Sequence, residues 1–355
     1  MTSQQRVIAA AERRKTDKVP TSLRCTPEVE KALINHLGVR TKQEAYDALD
    51  IDLRWVYVPF IGPKERSAPV MGGEGFDFWG CGNTKMANEY NTYYEITYHP
   101  LAKAQSVEDV ENYDWPSLDW WDYDAMPRII EKEFQKDRRA IIFFAGGAFE
   151  TPWYIRGLEQ FLVDLYLNPD IVTAICTKVE NYYRERALRV IEASNGMIDV
   201  IGSGGDLGGE QSMMVNPEVW RELIKPHSTK LIRTFKDMHL KTFYHSDGAI
   251  TPVINDFIEM GLDILDPIQV GAKGMTPEEL FPRFGDRLSF HGAIDEVDLL
   301  TSSTSEEVYN ETRRVISILG QNGGYIVSPT HNVQGDKTME NVLAIFKAVD
   351  DLKLS

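Results

Sequence analysis

The chain is short of cysteine, of long apolar runs and of positive charge, and each shortage removes a class of function. Its three cysteines, Cys25, Cys81 and Cys176, are odd in number and share no short spacing. Neither a disulfide framework nor a cysteine-rich zinc motif is therefore indicated, and a reducing cytoplasm is the expected compartment. No apolar run approaches the ~20 residues that span a bilayer. The opening MTSQQRVIAAAERRKTDKVP has no apolar core of a signal peptide, so a soluble cytoplasmic protein is expected. Acids outnumber bases, 54 Asp and Glu against 38 Lys and Arg, for a formal charge of −16. Nucleic acid and anionic membranes are excluded as partners, since both select clustered cations. The phosphate-binding GxGxxG turn is also missing, which weakens a dinucleotide-binding reading.

What is present is alternation. Short apolar, β-like runs occur at 19–24, 51–58, 141–145, 198–202, 241–245, 262–266, 288–292 and 324–328. Helix-period segments separate the later ones, at 158–167, 169–194, 217–239, 250–260, 277–284 and 305–320. Short strands joined by ten or more helical residues imply parallel crossovers. Eight such strands in 355 residues predict an α/β protein, a (β/α)8 TIM barrel forming one domain over 1–355. The segment 66–124 breaks the pattern. It is irregular and aromatic-rich, with Phe78, Trp79, Tyr90, Trp115 and Trp121 among its rings. It reads as an excursion over one end of the barrel, its rings packed beneath it or walling the pocket.

Polar residues crowd where the later strands end. They are Asp206, His245 with Asp247, Asp266 with Gln269, His291 with Asp295, and His331 with Asn332. One such cluster per strand over five successive strands is what a barrel active site looks like from sequence. In extended backbone, residues i and i+2 share a side, so His245 and Asp247 can converge on one ligand. Two chemistries fit. His245, Asp247 and His331 could bind zinc or another divalent metal, leaving a position open for substrate. Alternatively, without metal, the same groups hold substrate and pass protons. A structural reading of HSDG also stands, in which Ser246 and Asp247 cap the helix that follows. Glu150, Trp153, Tyr154 and Arg156 follow the strand at 141–145 and fall near the same mouth. Asp52 and Arg54 alternate in IDLRWVYV, so their shared face is either the lumen or an exposed salt-bridged surface. Cys25 is either a soft metal ligand or a core thiol.

With these residues in hand, the chain resembles the uroporphyrinogen decarboxylase superfamily over nearly its full length. RVIAAAERRKTDKVP, DVENYDWPSLDW, FAGG…WYIRG, FHGAID and GGYIVSPTHNVQGDKTMENVLAIFKAV carry the resemblance in order. It implies a TIM barrel with its site at the C-terminal face of the strands. It also implies one of two chemistries: metal-free decarboxylation of tetrapyrrole acetates, or zinc-dependent methyl transfer involving a corrinoid protein. In the decarboxylase branch Asp52, Tyr154 and His331 match the pyrrole-binding aspartate, the tyrosine and the late histidine. The arginine-rich loop that grips substrate carboxylates is reduced here to Arg24. In the methyltransferase branch zinc is held by His-x-Cys and a later Cys. His245 matches that histidine, while Asp247 and His331 stand where the cysteines would be. This harder set suits an ether or amine leaving group better than a thiol.

The resemblance therefore implies a corrinoid-linked methyltransferase acting on a small donor, such as a methoxylated aromatic, with metal at His245, Asp247 and His331. Asp206, Gln269 and Glu150 would position substrate, with Tyr154, Asp52, Trp153, Arg156, His291 and Asn332 around the pocket. The corrinoid would come from a partner protein, because no DxHxxG cobalamin loop is present. A homodimer is also expected. The alternatives are a metal-free lyase of a small carboxylic acid and a silent ligand-binding barrel.

Overall fold

A computed structural model describes residues 1–70, 72–87, 92–134 and 137–352. Ten strands are present among them: β1 (Leu53–Val56), β2 (Gly75–Phe76), β3 (Gly82–Ala87), β4 (Thr92–Tyr98), β5 (Ala140–Gly146), β6 (Val200–Gly204), β7 (Lys241–His245), β8 (Ile264–Ile268), β9 (Ser289–Ile294) and β10 (Tyr325–Pro329). Seven form one curled parallel sheet in the order β1-β5-β6-β7-β8-β9-β10. Its strands are almost wholly buried on both faces, which is why they read as continuous apolar runs. Single parallel bridges join Thr21 to Val327 and Ser22 to Leu53, so the segment 21–22 touches both edges of the sheet.

Inside the curl, Leu53, Ile142, Val200, Phe243, Ile264 and Ile326 meet Val7, Ala10 and Ala11. The first helix, Ser3–Ala11, thus plugs the end of the sheet where the strands begin. A second apolar layer lies between the sheet and the outer helices. Burying a side chain such as Phe257 or Trp220 there contributes about 1.5–3 kcal/mol or more.

The segment 66–124 is more ordered than its sequence suggests. β2, β3 and β4 make a three-stranded antiparallel sheet, with short helical turns after it. Phe78, Trp79 and Trp121 face the helix Pro169–Ala193, while Phe76 and Tyr98 pack on each other at the surface. Trp79 Nε1 donates to Tyr183 Oη at 3.1 Å and Trp121 Nε1 to Tyr182 Oη at 2.8 Å. The Arg186 guanidinium lies 4.6 Å from the Trp121 ring centre and 5.2 Å from that of Tyr183. Tyr90 falls outside the described residues. The predicted helix over 217–239 divides into Pro217–Leu223 and Lys225–Asp237, where Pro226 follows the joint. No helix among the described residues is long and apolar enough to cross a membrane.

Candidate active site

Strand register builds the site. Across β6, β7 and β8, Gly204 pairs with His245 and His245 with Asp266, which brings these residues side by side at the ends of the strands. The His245 Nδ1 lies 2.6 Å from Asp266 Oδ2. A carboxylate only accepts, so Nδ1 carries the proton and Nε2 is the atom turned to the mouth. Nε2 is 3.6 Å from Asp206 Oδ1 and 3.9 Å from Asp247 Oδ2. One donor atom from each of Asp206, His245 and Asp247 lies within 4.8 Å of the others.

The loops fix this trio through backbone contacts. The Asp247 N–H donates to Asp206 Oδ1 at 2.9 Å, and the Gly248 N–H to Gln269 Oε1 at 2.7 Å. Gly248 has φ +88°, and a Cβ there would sit 2.2 Å from the Gly208 carbonyl. Only glycine lets the two loops cross so closely. Ser246 accepts from the Leu207 N–H, so HSDG ties two loops together; in this structure it is not a helix cap.

Asp266 is the organiser. It is fully buried and bonds His245 with one oxygen and His291 Nδ1 with the other. Arg24 adds a contact of 3.3 Å to it and stacks 4.7 Å from the Trp55 ring centre. Burial opposes its charge, yet these three cationic or polar partners hold it well below the usual carboxylate range. In turn His245, though burial works against protonation, is lifted to about 9 by Asp266. Asp247 is raised to about 6, first by burial and then by Asp206 against the pull of His245. Glu150 is raised to about 7 by burial and by Asp206, and accepts a 3.1 Å hydrogen bond from Tyr154 Oη. Like-charged carboxylates around one histidine are costly for folding and useful for holding a cation.

The other predicted residues divide. His331 is exposed at the rim, its ring centre 6.4 Å from that of His245. Surrounding protein, then Arg24 and His245, push it down to about 4, so its ring is neutral and able to ligate or accept. It is outside the compact trio, whose third member is Asp206. Trp153 packs on Tyr154 at 4.3 Å between ring centres, and Asn332 is half-buried beside His331. His291 touches the site only through Asp266.

Two expected pocket residues lie elsewhere. Asp52 precedes β1, at the opposite end of the sheet, where it pairs with Arg6 and accepts from the Thr21 N–H at 3.0 Å. Leu53 and Trp55 take the inner face of β1, so Asp52 and Arg54 share the other face, where both are buried in ion pairs rather than lining the lumen or exposed. Arg156 is buried with Asp164 at 2.7 Å and the Leu101 carbonyl, holding two outer segments together. Arg54 pairs with Asp47 at 2.6 Å in the interior. Cys25 contacts Tyr46 Oη at 3.6 Å, and burial raises its thiol, as expected for a core cysteine. Asp295 caps the helix start at Val297, Asp298 and Leu299.

Comparison with known proteins agrees with this architecture. The uroporphyrinogen decarboxylase (URO-D) family model matches residues 89–352, and the chain belongs to that family. In structure the chain is similar to a methyltransferase from Methanosarcina mazei, with TM-score 0.70, 18% identity and 99% of each chain covered. At that identity the likeness concerns the fold. Partial likenesses to an archaeal fructose 1,6-bisphosphate aldolase (TM-score 0.28, 13% identity, 45% of this chain and 61% of that one) and to a Prevotella bryantii endo-beta-mannanase/endo-beta-glucanase (TM-score 0.31, 10% identity, 71% and 47%) carry no argument. No curated protein matches the sequence significantly.

Proposed function

We propose that the protein is a metal-dependent methyltransferase that moves a methyl group from a small donor, a methoxylated aromatic, to a corrinoid held by a partner protein. The observation that carries this reading is the trio Asp206, His245 and Asp247, oriented by Asp266. A histidine whose far nitrogen is held by a buried carboxylate, beside two further carboxylates, is a recurrent metal-ligand arrangement. The donor set is hard, two oxygens and one nitrogen, and fits zinc or another divalent ion. When bound, such an ion would supply Lewis acidity toward the oxygen that loses the methyl group. Neutral His331 faces the same opening and is available to the substrate. Glu150, about half protonated near neutral pH, can return a proton to the demethylated oxygen, with Tyr154 fixing its Oε1.

The fold is part of the same proposal. With 21–22 as an eighth stave between β10 and β1, the curled sheet is a (β/α)8 barrel, and the trio sits at its C-terminal face. The test is methyl transfer to a reduced corrinoid protein from a panel of methoxylated aromatics. No transfer with any of them sinks the reading.

One observation favours a second reading, a metal-free lyase. Without an ion, His245 is cationic at neutral pH and stands with Arg24 beside the mouth, a pair suited to a substrate carboxylate. Decarboxylation that survives chelators would select it.

A further inference from the structure

We propose a second binding site, at the end of the sheet away from the mouth, for a small amphipathic carboxylate. A cavity of about 290 Å³ lies between the linker after the first helix, the helix Ser305–Leu319 and the turn that enters β10. Its apolar wall comes from Val19, Ile316, Tyr325 and Leu352. Among the described residues its two charged lining groups are Lys15 and Arg313, and no carboxylate lines it. In a chain with 54 acids and 38 bases, a purely cationic lining runs against composition.

Neither cation is neutralised by an ion pair among the described residues. Arg313 Nη1 donates to Tyr309 Oη at 3.1 Å and lies over that ring, while Tyr309 donates to Asp351 Oδ2 at 3.0 Å. The guanidinium therefore keeps donors for a ligand while its stem is braced. Lys15, also in the lining, is exposed. Gly323 shapes the wall: its φ is +92°, and a Cβ would lie 2.3 Å from the Arg14 carbonyl. The turn and the linker thus close on each other through bare backbone.

A largely apolar pocket of this size, with Thr16, Ser317 and Gln321 as its uncharged polar groups and two cations in its lining, retains a ligand with an apolar body and one anionic head. A guanidinium prefers the planar, two-oxygen geometry of a carboxylate. A bare inorganic anion would leave the Ile316 and Leu352 surfaces uncovered. The site is independent of the trio, which lies at the other ends of the strands.

Isothermal titration of the full chain tests this with hexanoate, hexanol and inorganic phosphate as probes. Hexanoate should bind one per chain, and Arg313→Met or Lys15→Met should each weaken it about tenfold. Arg313→Lys should bind more weakly than the wild type but more tightly than Arg313→Met, separating loss of charge from loss of fold. Asp206→Asn should bind hexanoate as the wild type does. Hexanol and phosphate should both bind more weakly than hexanoate. Absence of saturable hexanoate binding, equal affinity for phosphate, or affinity unchanged in both Met variants overturns the proposal. Loss of binding in Asp206→Asn would do the same by moving the site to the mouth.

Discussion

The two ends of the parallel sheet both bury charge, and they do it in opposite ways. Where the strands begin, each carboxylate meets a cation: Asp52 with Arg6, Asp47 with Arg54 and Arg139, Asp50 with Lys18 and Arg139. Where they end, Asp206, Asp247 and Glu150 crowd around one histidine, and of the carboxylates beside that histidine Asp266 is the one that Arg24 also contacts. Paired charge is a structural solution, because a partner offsets part of each desolvation cost, although burial still raises Asp52 against Lys18 and Arg6. Convergent like charge is a site waiting for a counter-ion. The difference teaches that burial alone does not mark function; the sign of a buried group's neighbours does.

The largest effect should come from the organiser. Asp266→Asn leaves one neutral acceptor oxygen, and an NH2 donor in place of the other, for two histidines and Arg24, and should cost about 3 kcal/mol in urea unfolding. It should also weaken metal affinity about 10–100-fold in competition titrations. The comparison sharpens with a matched pair. Asp52→Asn should destabilise by a similar amount while leaving metal affinity unchanged. Asp206→Asn should do the reverse, abolishing tight metal binding with stability held or improved, since it relieves repulsion among carboxylates. If Asp52→Asn lost metal and Asp206→Asn lost stability, the contrast between the two ends would be broken.

The same contrast predicts opposite pH limbs in the metal-free protein. Asp50 is lowered to about 2, held there against burial by Lys18 and Arg139. Its stabilising contribution is present above the ordinary carboxylate range and lost as pH falls through about 2. His245 is raised to about 9, so its contribution is full below about 6.5 and lost as pH rises through about 9. Asp50→Asn should flatten the acid limb of a stability–pH curve and His245→Gln the alkaline limb. The smallest effect is expected of His331→Ala, whose ring is exposed and outside the trio: under about tenfold in metal affinity, with methyl transfer more affected than binding.

Much of the fold was legible because buried parallel strands are apolar throughout. The predicted run at 241–245 is β7, and 324–328 differs from β10 by one residue. The antiparallel sheet of β2, β3 and β4 was not legible, because TYYEITY is part-exposed and mixes rings with polar groups on both faces. At the site, the i, i+2 argument correctly brought His245 and Asp247 together. The sequence reading named His331 as third member where the compact trio holds Asp206, since that depends on where two loops fold back across Gly208 and Gly248. Asp52 was misplaced for a related reason. Alternation reports which residues share a face, but neither which face is the inner one nor which end of the strand is the mouth. The role of Asp266 was hidden in DPIQ at the end of β8, and cross-strand register with His245 reveals it.

The most direct measurement is equilibrium dialysis of chelator-stripped protein against zinc, with Asp206→Asn and His331→Ala beside the wild type. The account predicts about one ion per chain in the wild type and in His331→Ala, and none held tightly by Asp206→Asn. A wild type that takes up no ion, or an Asp206→Asn variant that keeps it, would contradict the central claim.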